Sequence, residues 1–374
     1  MKIALAQIQV ITGRPDLMVK KALEMIENAK AQKCDVIAFP EMMFGYFYGD
    51  LWLDDDYCRY LMSFNEPLIK ASKDIIVCWG NIYLQENLPK TVRARWGDME
   101  EFCQTQHDGR KVRFNAAYCY YDQQPCENYL EHAFIPKGIQ PKLLLPNYRI
   151  FDDYRYFFSP LEWLFRRYIG WANNHFEIMK DGKKIKLGLE LCEDMWHTDH
   201  NYNPSWALSE SDVIINLSAS PWTAGKNGAR DKQVAKLLDW NRKRYLFNNS
   251  YIEKEYYPPF LYVNCVGYQD NGKNVISFDG GSTVYGQDGK PRIFAEGMYK
   301  EQLIVCDPYD LPKEPQKRPI ADPMEELYLA LQNDIRFIID RTGVDKFVIG
   351  LSGGIDSAVV ACLLTKAVGK DKVI

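Results

Sequence analysis

The sequence predicts an α/β fold in which helices pack against a sandwich of β-sheets. Short apolar segments that suit buried strands alternate with amphipathic helical segments, a pattern typical of α/β domains. Between residues 261 and 306, strand-like segments follow one another directly. That is more strand than one open sheet would use, so we expect sheets stacked as a sandwich.

The first elements of the chain set this pattern. A strand is predicted over residues 2–10, and it ends near a turn at residues 12–15. A helix follows, with Asp16 as its expected capping residue. One face of this helix is apolar and is formed by Met18, Ala22, Met25, Ile26 and Ala29. The apolar run 35–39, closed by Pro40, predicts a buried strand.

The alternation continues along the chain. Further strands are predicted at residues 75–84, 184–192, 212–217, 261–268, 274–280, 281–286, 292–297 and 301–306. Helices are predicted at residues 204–209 and 230–245. Residues 88–113 are polar and charged and predict a long surface loop, whereas residues 148–171, rich in aromatic residues and Arg, give no clear element.

A change of composition divides the chain unevenly. Residues 307–323 carry five Pro and alternating charges, which predicts a linker over residues 307–322. A helix at 323–341, a strand at 346–351, a second helix to about 367 and a strand from 372 are predicted to follow. We therefore expect one domain over residues 1–306 and the N-terminal part of a second α/β domain, incomplete, over residues 323–374.

Composition excludes several classes of protein. The 46 basic and 50 acidic residues give a net charge of −4, which favours neither nucleic acid nor an anionic membrane as a partner. No apolar run is long enough to span a bilayer, and the first residues suit a strand rather than a signal peptide, so we expect a cytoplasmic protein. The ten Cys form no CxxC pairs and predict reduced thiols. His197, Asp199 and His200 predict a surface loop rather than a metal site.

The most specific motif is SGGIDS at residues 352–357, between a predicted strand and a helix. Its two glycines allow backbone N–H groups to face an anion at the helix N-terminus. Ser352 and Ser357 can donate hydroxyl groups to phosphate oxygens, and Asp356 could hold a Mg²⁺ bound to those phosphates. No Lys follows the glycines, so this is not a Walker loop. The alternative is an ordinary strand–turn–helix corner.

A second group of residues is dispersed in the sequence. Glu41, Lys142 and Cys192 each end an apolar segment, where α/β folds place functional groups. A thiol that attacks an amide needs a base, and the resulting oxyanion needs a positive donor; Glu41 and Lys142 can supply them. The alternative is a small buried Cys and two solvated charges.

Longer blocks around these residues resemble known families. FPEMMFGY, PKLLLPNYRIFDDYRYF and LGLELCEDMW resemble the signature blocks of the nitrilase superfamily, whose catalytic triad is Glu, Lys and Cys. KIALAQIQVITG resembles its first strand and NLSASPWTAGKNGAR its fourth block. SGGIDS resembles the pyrophosphate loop of the N-type ATP pyrophosphatases. This order of domains, and the LPNY block, resemble the glutamine-dependent NAD synthetases.

The resemblance implies a nitrilase-type α-β-β-α sandwich followed by the beginning of an α/β adenine-nucleotide-hydrolase-like domain. It also implies a carbon-nitrogen ligase that hydrolyses glutamine through a Cys thioester. The ammonia would convert deamido-NAD to NAD with ATP and Mg²⁺, releasing AMP and pyrophosphate, and the glutaminase step would need no cofactor. We expect a homo-oligomer. Because the second domain needs further strands to bind its substrates, we expect this chain alone to be a glutaminase.

The resemblance also implies roles for individual residues. Glu41 would be the base, Lys142 the oxyanion donor and Cys192 the nucleophile. The residues expected to bind glutamine are Tyr46, Tyr148, Glu193, Ser220 and Arg230. Those expected to bind pyrophosphate are Ser352, Gly353, Gly354 and Ser357, with Asp356 on the metal. Asp153 stands where the family often has Glu, and would orient Lys142 without acting in catalysis.

Two alternatives stay open. The chain could be a stand-alone nitrilase-type amidase in which SGGIDS is vestigial. It could also be a non-catalytic partner subunit of a synthetase, although the presence of Glu41, Lys142 and Cys192 together argues against this.

Overall fold

A computed structural model describes residues 1–88, 91–93, 99–101, 109–128, 135–165, 175–245, 251–253, 257–270, 272–320 and 322–374. Parts of the predicted loop at 88–113 and of the unassigned stretch at 148–171 lie outside the described residues. None of the helices in the described ranges combines the length and apolar composition that a membrane span requires.

The strands are β1 (Ile3–Gln7), β2 (Gln9–Ile11), β3 (Val36–Ala38), β4 (Ile76–Leu84), β5 (Thr91–Arg93), β6 (Met99–Glu101), β7 (Arg113–Tyr121), β8 (Gln124–Pro125), β9 (Glu127–Asn128), β10 (Ile139–Pro141), β11 (Phe176–Lys180), β12 (Lys183–Leu191), β13 (Val213–Ser218), β14 (Lys243–Tyr245), β15 (Tyr251–Glu253), β16 (Phe260–Asn264), β17 (Val266–Asp270), β18 (Val275–Asp279), β19 (Thr283–Tyr285), β20 (Pro291–Phe294) and β21 (Gln302–Cys306). The α-helices are α1 (Pro15–Ala31), α2 (Asp55–Ser63), α3 (Asn65–Ala71), α4 (Asp153–Tyr156), α5 (Leu161–Phe165), α6 (Pro204–Ala207), α7 (Lys226–Arg242), α8 (Pro323–Thr342) and α9 (Ile355–Val368). Short 3-10 helices cover Gly49–Leu53, Cys192–Asp199 and Lys370–Lys372.

Two large sheets form the body of the protein. The first has the order β10-β7-β4-β3-β1-β21, with β1, β3 and β4 parallel and β8 beside β7. The second has the order β20-β19-β16-β13-β12-β11-β9, with β12, β13 and β16 parallel. A smaller sheet of β18, β17 and β2 lies beside them. In both large sheets the parallel strands are central, as expected for strands covered on both faces.

The two sheets bury one apolar core between them. Alternate residues of β1, such as Ile3 and Leu5, join that core together with Leu189 and Ile215 from the second sheet. The residues between them point to the other face, where α1 covers the first sheet. On the outer face of the second sheet, α7 packs through Val234, Leu237 and Leu238. The layers therefore run helix, sheet, sheet, helix, and the predicted α/β sandwich is confirmed.

Two details of the first domain differ from expectation. Helix α1 begins at Pro15 with Arg14 at the capping position, so Asp16 lies in the first turn instead of capping it. Pro at the first position suits a helix start because its missing N–H would have no partner there. Of the five residues expected on the buried face, Met25 is only half-buried.

The C-terminal part begins with α8, which Asp322 caps and which ends at Gly343 in a left-handed conformation. The strands predicted at 346–351 and from 372 do not form as continuous strands. Phe347 and Val373 form one parallel bridge, and three backbone hydrogen bonds join residues 347–349 to residues 372–374. The side chains of Val348 and Leu351 are 83% and 67% exposed, so no neighbouring layer supports a strand there. Strand β21 ends at Cys306 and α8 begins at Pro323. The division into domains at these residues stays a prediction.

Candidate active site

The three residues of the predicted triad follow strands of both sheets. Glu41 comes three residues after β3 and Lys142 directly after β10, both in the first sheet. Cys192 comes directly after β12 in the second sheet. Lys142 contacts Glu41 directly, and Asp194, two residues after Cys192, accepts from the N–H groups that follow Lys142, so the three residues lie at one site between the sheets.

Glu41 is fully buried and held through both carboxylate oxygens. Its Oε1 accepts hydrogen bonds from Lys142 Nζ at 2.8 Å and Asn115 Nδ2 at 2.7 Å. Its Oε2 accepts one from the Ala219 N–H at 3.0 Å. Strand β4 passes so close that a Cβ on Gly80 would lie 2.4 Å from Glu41 Cα, and only glycine fits there.

Lys142 is 1% exposed and lies among acceptors. Besides Glu41, its Nζ lies 3.1 Å from Tyr46 Oη and 3.3 Å from Asp153 Oδ2. Tyr46 Oη donates to Asp153 Oδ2 at 2.6 Å, so its oxygen accepts from the lysine. Burial opposes the charged form of Lys142, but the negative charge of Glu41 raises the pKa of the lysine well above its usual value. Burial raises the pKa of Asp153 to about 6, although the lysine charge opposes this.

Cys192 begins the 3-10 helix Cys192–Asp199 with a φ of +35°, a conformation that a residue with a side chain rarely adopts. Such local strain is common at reactive residues held by surrounding structure. Burial and the charge of Glu41 raise the pKa of the Cys192 thiol to about 12. The thiol is therefore protonated at neutral pH and needs a base to become a nucleophile.

Asp194 ties the nucleophile to the lysine segment. Its Oδ1 accepts from the backbone N–H groups of Leu143 and Leu144, and its Oδ2 accepts from that of Leu191. These three N–H groups come from the residues flanking Lys142 and Cys192. One buried carboxylate therefore fixes the two turns relative to each other, and nothing in the sequence singled it out.

Two of the predicted glutamine-binding residues meet at the mouth of the site. Tyr148 is 49% exposed, and its hydroxyl donates to Glu193 Oε2 at 2.8 Å. Glu193 is buried, and its Oε1 lies 3.2 Å from His200 Nε2. Tyr46 lies deeper, in the hydrogen-bond network of Lys142. Phe151 connects the two levels, since its ring lies 5.7 Å from that of Tyr46 and 5.9 Å from that of Tyr148.

Ser220 and Arg230, the other two predicted glutamine-binding residues, are both buried. The Ser220 N–H donates to Asn264 Oδ1 at 2.9 Å. Arg230 Nη2 donates to Asn227 Oδ1 at 2.6 Å and to the Gly281 carbonyl at 2.8 Å. The guanidinium also lies 4.0 Å from the centre of the Tyr262 ring. These contacts hold the arginine within the protein, and its part in binding a carboxylate stays a prediction.

Lys226 is a further charged residue at the site that sequence reasoning missed. Its half-buried ammonium group donates to the Pro221 carbonyl at 3.0 Å, and its charge acts on Cys192 and Glu193. Burial lowers its pKa. The residue lies in the fourth signature block, AGKNGAR. The sequence prediction named Arg230 from this block, because a guanidinium suits a carboxylate.

The SGGIDS loop forms the start of α9. Gly354 caps the helix, and Gly353 has a φ of +84°, which favours glycine. The Ser352 and Ser357 hydroxyl oxygens lie 3.2 Å apart, and Ser357 Oγ donates to the Gly354 carbonyl. Ser352, Gly353, Gly354 and Asp356 are exposed, and Ser357 is half-buried. The backbone N–H groups of a 14-residue helix and two hydroxyls fit a phosphate group here.

Cysteines and histidines show no metal site in the part of the chain that the structure describes. The nine cysteines in that part are unpaired thiols, all buried except Cys362. The surface loop predicted around His197 is wrong at His197 itself. Residues 197–199 lie in the 3-10 helix that Cys192 begins, and His197 is buried, whereas Asp199 is exposed and His200 is half-buried.

Comparisons with known proteins agree with the resemblance seen in the sequence. The carbon-nitrogen hydrolase family matches residues 2–307 and the NAD synthase family matches residues 327–374. The glutamine-dependent NAD(+) synthetases of Synechocystis sp. and Acinetobacter baylyi are each 28% identical to the chain over its full length. The chain covers 58% and 56% of these relatives, so it spans a little over half their length.

Solved structures give the same result. A glutamine-dependent NAD+ synthetase from Acinetobacter baumannii in complex with ADP has a TM-score of 0.71 and 27% identity, covering 100% of this chain and 58% of its own. A carbon-nitrogen hydrolase from Helicobacter pylori has a TM-score of 0.55 and 15% identity, covering 82% and 88%, which bears on the fold alone. The predicted nitrilase-type sandwich is confirmed. The chain belongs to the carbon-nitrogen hydrolase family, and the beginning of an NAD synthase domain follows at residues 327–374.

Proposed function

We propose that this chain carries the glutamine-hydrolysing part of a glutamine-dependent NAD synthetase. The observation that carries the proposal is the buried contact of Glu41 with Lys142 at 2.8 Å, with both charges acting on the Cys192 thiol. Relatives named as glutamine-dependent NAD synthetases match the whole chain, which supports glutamine as the amide substrate.

Glutamine would enter past Tyr148 and Glu193. The Glu193 carboxylate is a suitable acceptor for the substrate's ammonium group, because it is buried and already accepts from the Tyr148 hydroxyl. Lys226 and Arg230 are the nearby cations suited to the α-carboxylate, and Ser220 lies at the start of the same segment. Tyr46 would act through Lys142, whose ammonium group it contacts.

In the first step, Cys192 Sγ attacks the carboxamide carbon while the thiol proton passes to Glu41. Oxygen Oε1 of Glu41 already accepts two hydrogen bonds, whereas Oε2 accepts one from the described residues. A carboxylate oxygen has two lone-pair sites, so Oε2 retains one for the proton. The other three contacts keep the carboxylate oriented during the transfer.

Lys142 would stabilise the oxyanion of the tetrahedral intermediate. Its three protons face Glu41, Tyr46 and Asp153, and the contact with Asp153 is the longest at 3.3 Å. That proton is the one most easily redirected to the developing charge. Collapse of the intermediate expels ammonia, which takes the proton from Glu41 and leaves a γ-glutamyl thioester. Water then attacks the thioester carbon while Glu41 takes its proton; the C–S bond breaks, glutamate is released, and the proton returns from Glu41 to the Cys192 sulfur.

The ammonia would be consumed where ATP activates deamido-NAD, yielding NAD, AMP and pyrophosphate. Ser352, Gly353, Gly354 and Ser357 would hold the pyrophosphate, and Asp356 would hold Mg²⁺, which neutralises phosphate charge when bound. The exposed N-terminus of α9 and the ADP named with the Acinetobacter baumannii structure support nucleotide binding. Homo-oligomerisation and a cytoplasmic location stay predictions.

The test is ammonia release without ATP from glutamine, asparagine and short aliphatic amides. We expect glutamine to be strongly preferred and Cys192→Ala to abolish the release, with Cys362→Ser, at the one exposed cysteine of the described chain, as the unchanged control. Mass spectrometry after a thiol-alkylating glutamine analogue should locate the label on Cys192. Equal hydrolysis of short amides would favour the stand-alone amidase. Labelling elsewhere, or no hydrolysis of any amide, would refute the proposal and leave a partner subunit.

A further inference from the structure

We infer that α8, at the start of the second domain, contributes to glutamine binding. Its residue Glu326 positions the segment that borders the substrate pocket. This segment comprises residues 219–227 and is called the 219–227 segment below. The inference rests on the proposed function and assigns Glu326 as a positioning residue for it.

Glu326 is an acidic residue buried against the first domain. It is 8% exposed, although its neighbour Glu325 is exposed on the same helix. Its Oε1 accepts hydrogen bonds from Trp222 Nε1 at 3.1 Å and from Asn227 Nδ2 at 2.9 Å. Burying a carboxylate is unfavourable unless it is hydrogen-bonded, so these two donors define where the helix lies.

A second contact fixes the direction of α8. Phe337 stacks on the Tyr268 ring of β17 at 4.1 Å and 19°, and Tyr268 in turn stacks on Tyr299 at 5.9 Å and 6°. Residues 326 and 337 are three helical turns apart, or about 16 Å along the axis. The helix therefore contacts the first domain at two separated points, and Glu326 is the one that touches the 219–227 segment.

The beginning of the 219–227 segment is anchored independently of α8. The Ala219 N–H donates to Glu41 Oε2 at 3.0 Å. Asn264 accepts from the Ser220 N–H through Oδ1 and donates to the Ser220 carbonyl through Nδ2. Asn264 is fully buried at the end of β16, so the general base keeps its support whatever α8 does.

At the far end of the segment, two side chains are hydrogen-bonded to Glu326. Asn227, which donates to Glu326, also accepts from Arg230 Nη2 at 2.6 Å and lies 3.2 Å from Asp279 Oδ2. Lys226, whose charge acts on Cys192, precedes Asn227 directly. Loss of Glu326 would remove the acceptor of the Trp222 indole and one of the two acceptors of Asn227 Nδ2, which would loosen this end of the segment and shift Lys226 and Arg230. Because only this end is affected, substrate binding should weaken while the chemical step persists.

The test measures glutamine hydrolysis by three variants of the full chain. In Glu326→Ala we expect KM for glutamine to rise about tenfold, with kcat within about twofold, from the loss of two hydrogen bonds to a charged acceptor. Glu326→Gln should restore most of the KM, because one amide oxygen keeps both lone pairs for Trp222 and Asn227. Glu325→Ala is the matched control on the same helix and should behave as wild type. An unchanged KM in Glu326→Ala, or an equal rise in Glu325→Ala, would overturn the inference.

Hydrogen–deuterium exchange gives a readout that does not need activity. Backbone amides of residues 222–227 should exchange faster in Glu326→Ala than in Glu325→Ala, while Ala219 stays protected. Unchanged exchange would refute the role of Glu326 even in an active glutaminase. Faster exchange in a chain that hydrolyses no glutamine would refute the proposed function but support the contact between Glu326 and the 219–227 segment. If Glu326→Ala does not fold, Glu326→Asp replaces it, since the shorter side chain cannot reach both donors.

Discussion

Lys142 holds two buried carboxylates together, so its replacement tests the electrostatics of the whole site. The side chains of Lys142, Glu41 and Asp153 are 1%, 0% and 2% exposed. In Lys142→Met, which keeps the apolar stem, both carboxylates lose their ammonium partner. Removing one member of a buried ion pair typically costs about 3–5 kcal/mol. We expect a loss of this size in the free energy of unfolding at pH 8.

The loss should depend on pH through Asp153. Burial already raises the pKa of Asp153 to about 6, and the lysine charge that opposes this rise disappears in the variant. The variant's folded state therefore holds a proton up to a higher pH than the wild type. A carboxyl group whose folded pKa is raised contributes stability at low pH that is lost as pH rises through that pKa. As pH falls from 8 to 5.5, the difference in free energy of unfolding between wild type and Lys142→Met should therefore shrink. The decrease should be about 1.4 kcal/mol for each unit by which the variant raises the pKa of Asp153.

The assay is urea-induced unfolding followed by circular dichroism at pH 5.5 and pH 8. Lys137→Met is the matched control, because Lys137 pairs with Glu127 at the surface, where both side chains are more than half exposed. Surface pairs contribute about 0–1 kcal/mol, so this variant should change little at either pH. A deficit in Lys142→Met of under 1 kcal/mol, or one identical at both pH values, would refute the reasoning.

Two further substitutions test buried positions around the site. Burial raises the pKa of Glu190 to about 7 although Ser205 and Asn216 donate to it, so the wild type should lose about 3 kcal/mol of unfolding free energy between pH 4.5 and 8. Glu190→Gln has no group to titrate and should not show that loss. In urea unfolding, the stability of Glu190→Gln relative to wild type should therefore be greater at pH 8 than at pH 4.5. The same difference in free energy of unfolding at both pH values would contradict this. Gly80→Ala places a Cβ 2.4 Å from Glu41 Cα, which should destabilise by about 3 kcal/mol and slow ammonia release. Gly228→Ala, with nothing within 4 Å, should do neither, and equal effects would argue against close packing at Gly80.

Local sequence patterns predicted the sandwich and the strands that end at the site. Residues 36–39 are apolar because both faces of their strand are buried, and residues 187–191 of β12 are likewise buried on both faces and apolar apart from Glu190. The segment predicted as a strand at 346–351 has a similar apolar pattern, yet it makes one parallel bridge and three backbone hydrogen bonds with residues 372–374 and no continuous strand. A strand exists only where a second strand pairs with it, and composition alone does not supply that information.

The supporting residues of the site were harder to predict than the triad. Asp194 accepts from backbone N–H groups of the Lys142 segment, and Asn115 donates to the Glu41 carboxylate. Both partners are distant in sequence. Asp153 stands where the family often has Glu and was expected only to orient Lys142. In the structure it contacts both Lys142 and Tyr46. Lys226 was passed over because chemical preference favoured the nearby arginine. In each case the role depends on tertiary neighbours, which a single sequence does not reveal.

The site lies across the two sheets, and this has a consequence for how it is kept in register. Glu41 and Lys142 follow strands of the first sheet, whereas Cys192 and Ala219 follow strands of the second. Among the buried polar contacts that cross the gap, two lie at the site: Asp194 accepts from the N–H groups after Lys142, and the Ala219 N–H donates to Glu41. Apolar packing between sheets is non-directional and would tolerate small sliding, whereas hydrogen bonds lose strength steeply with misalignment. The apolar core therefore holds the sheets together, and these few bonds set the position of the base relative to the thiol.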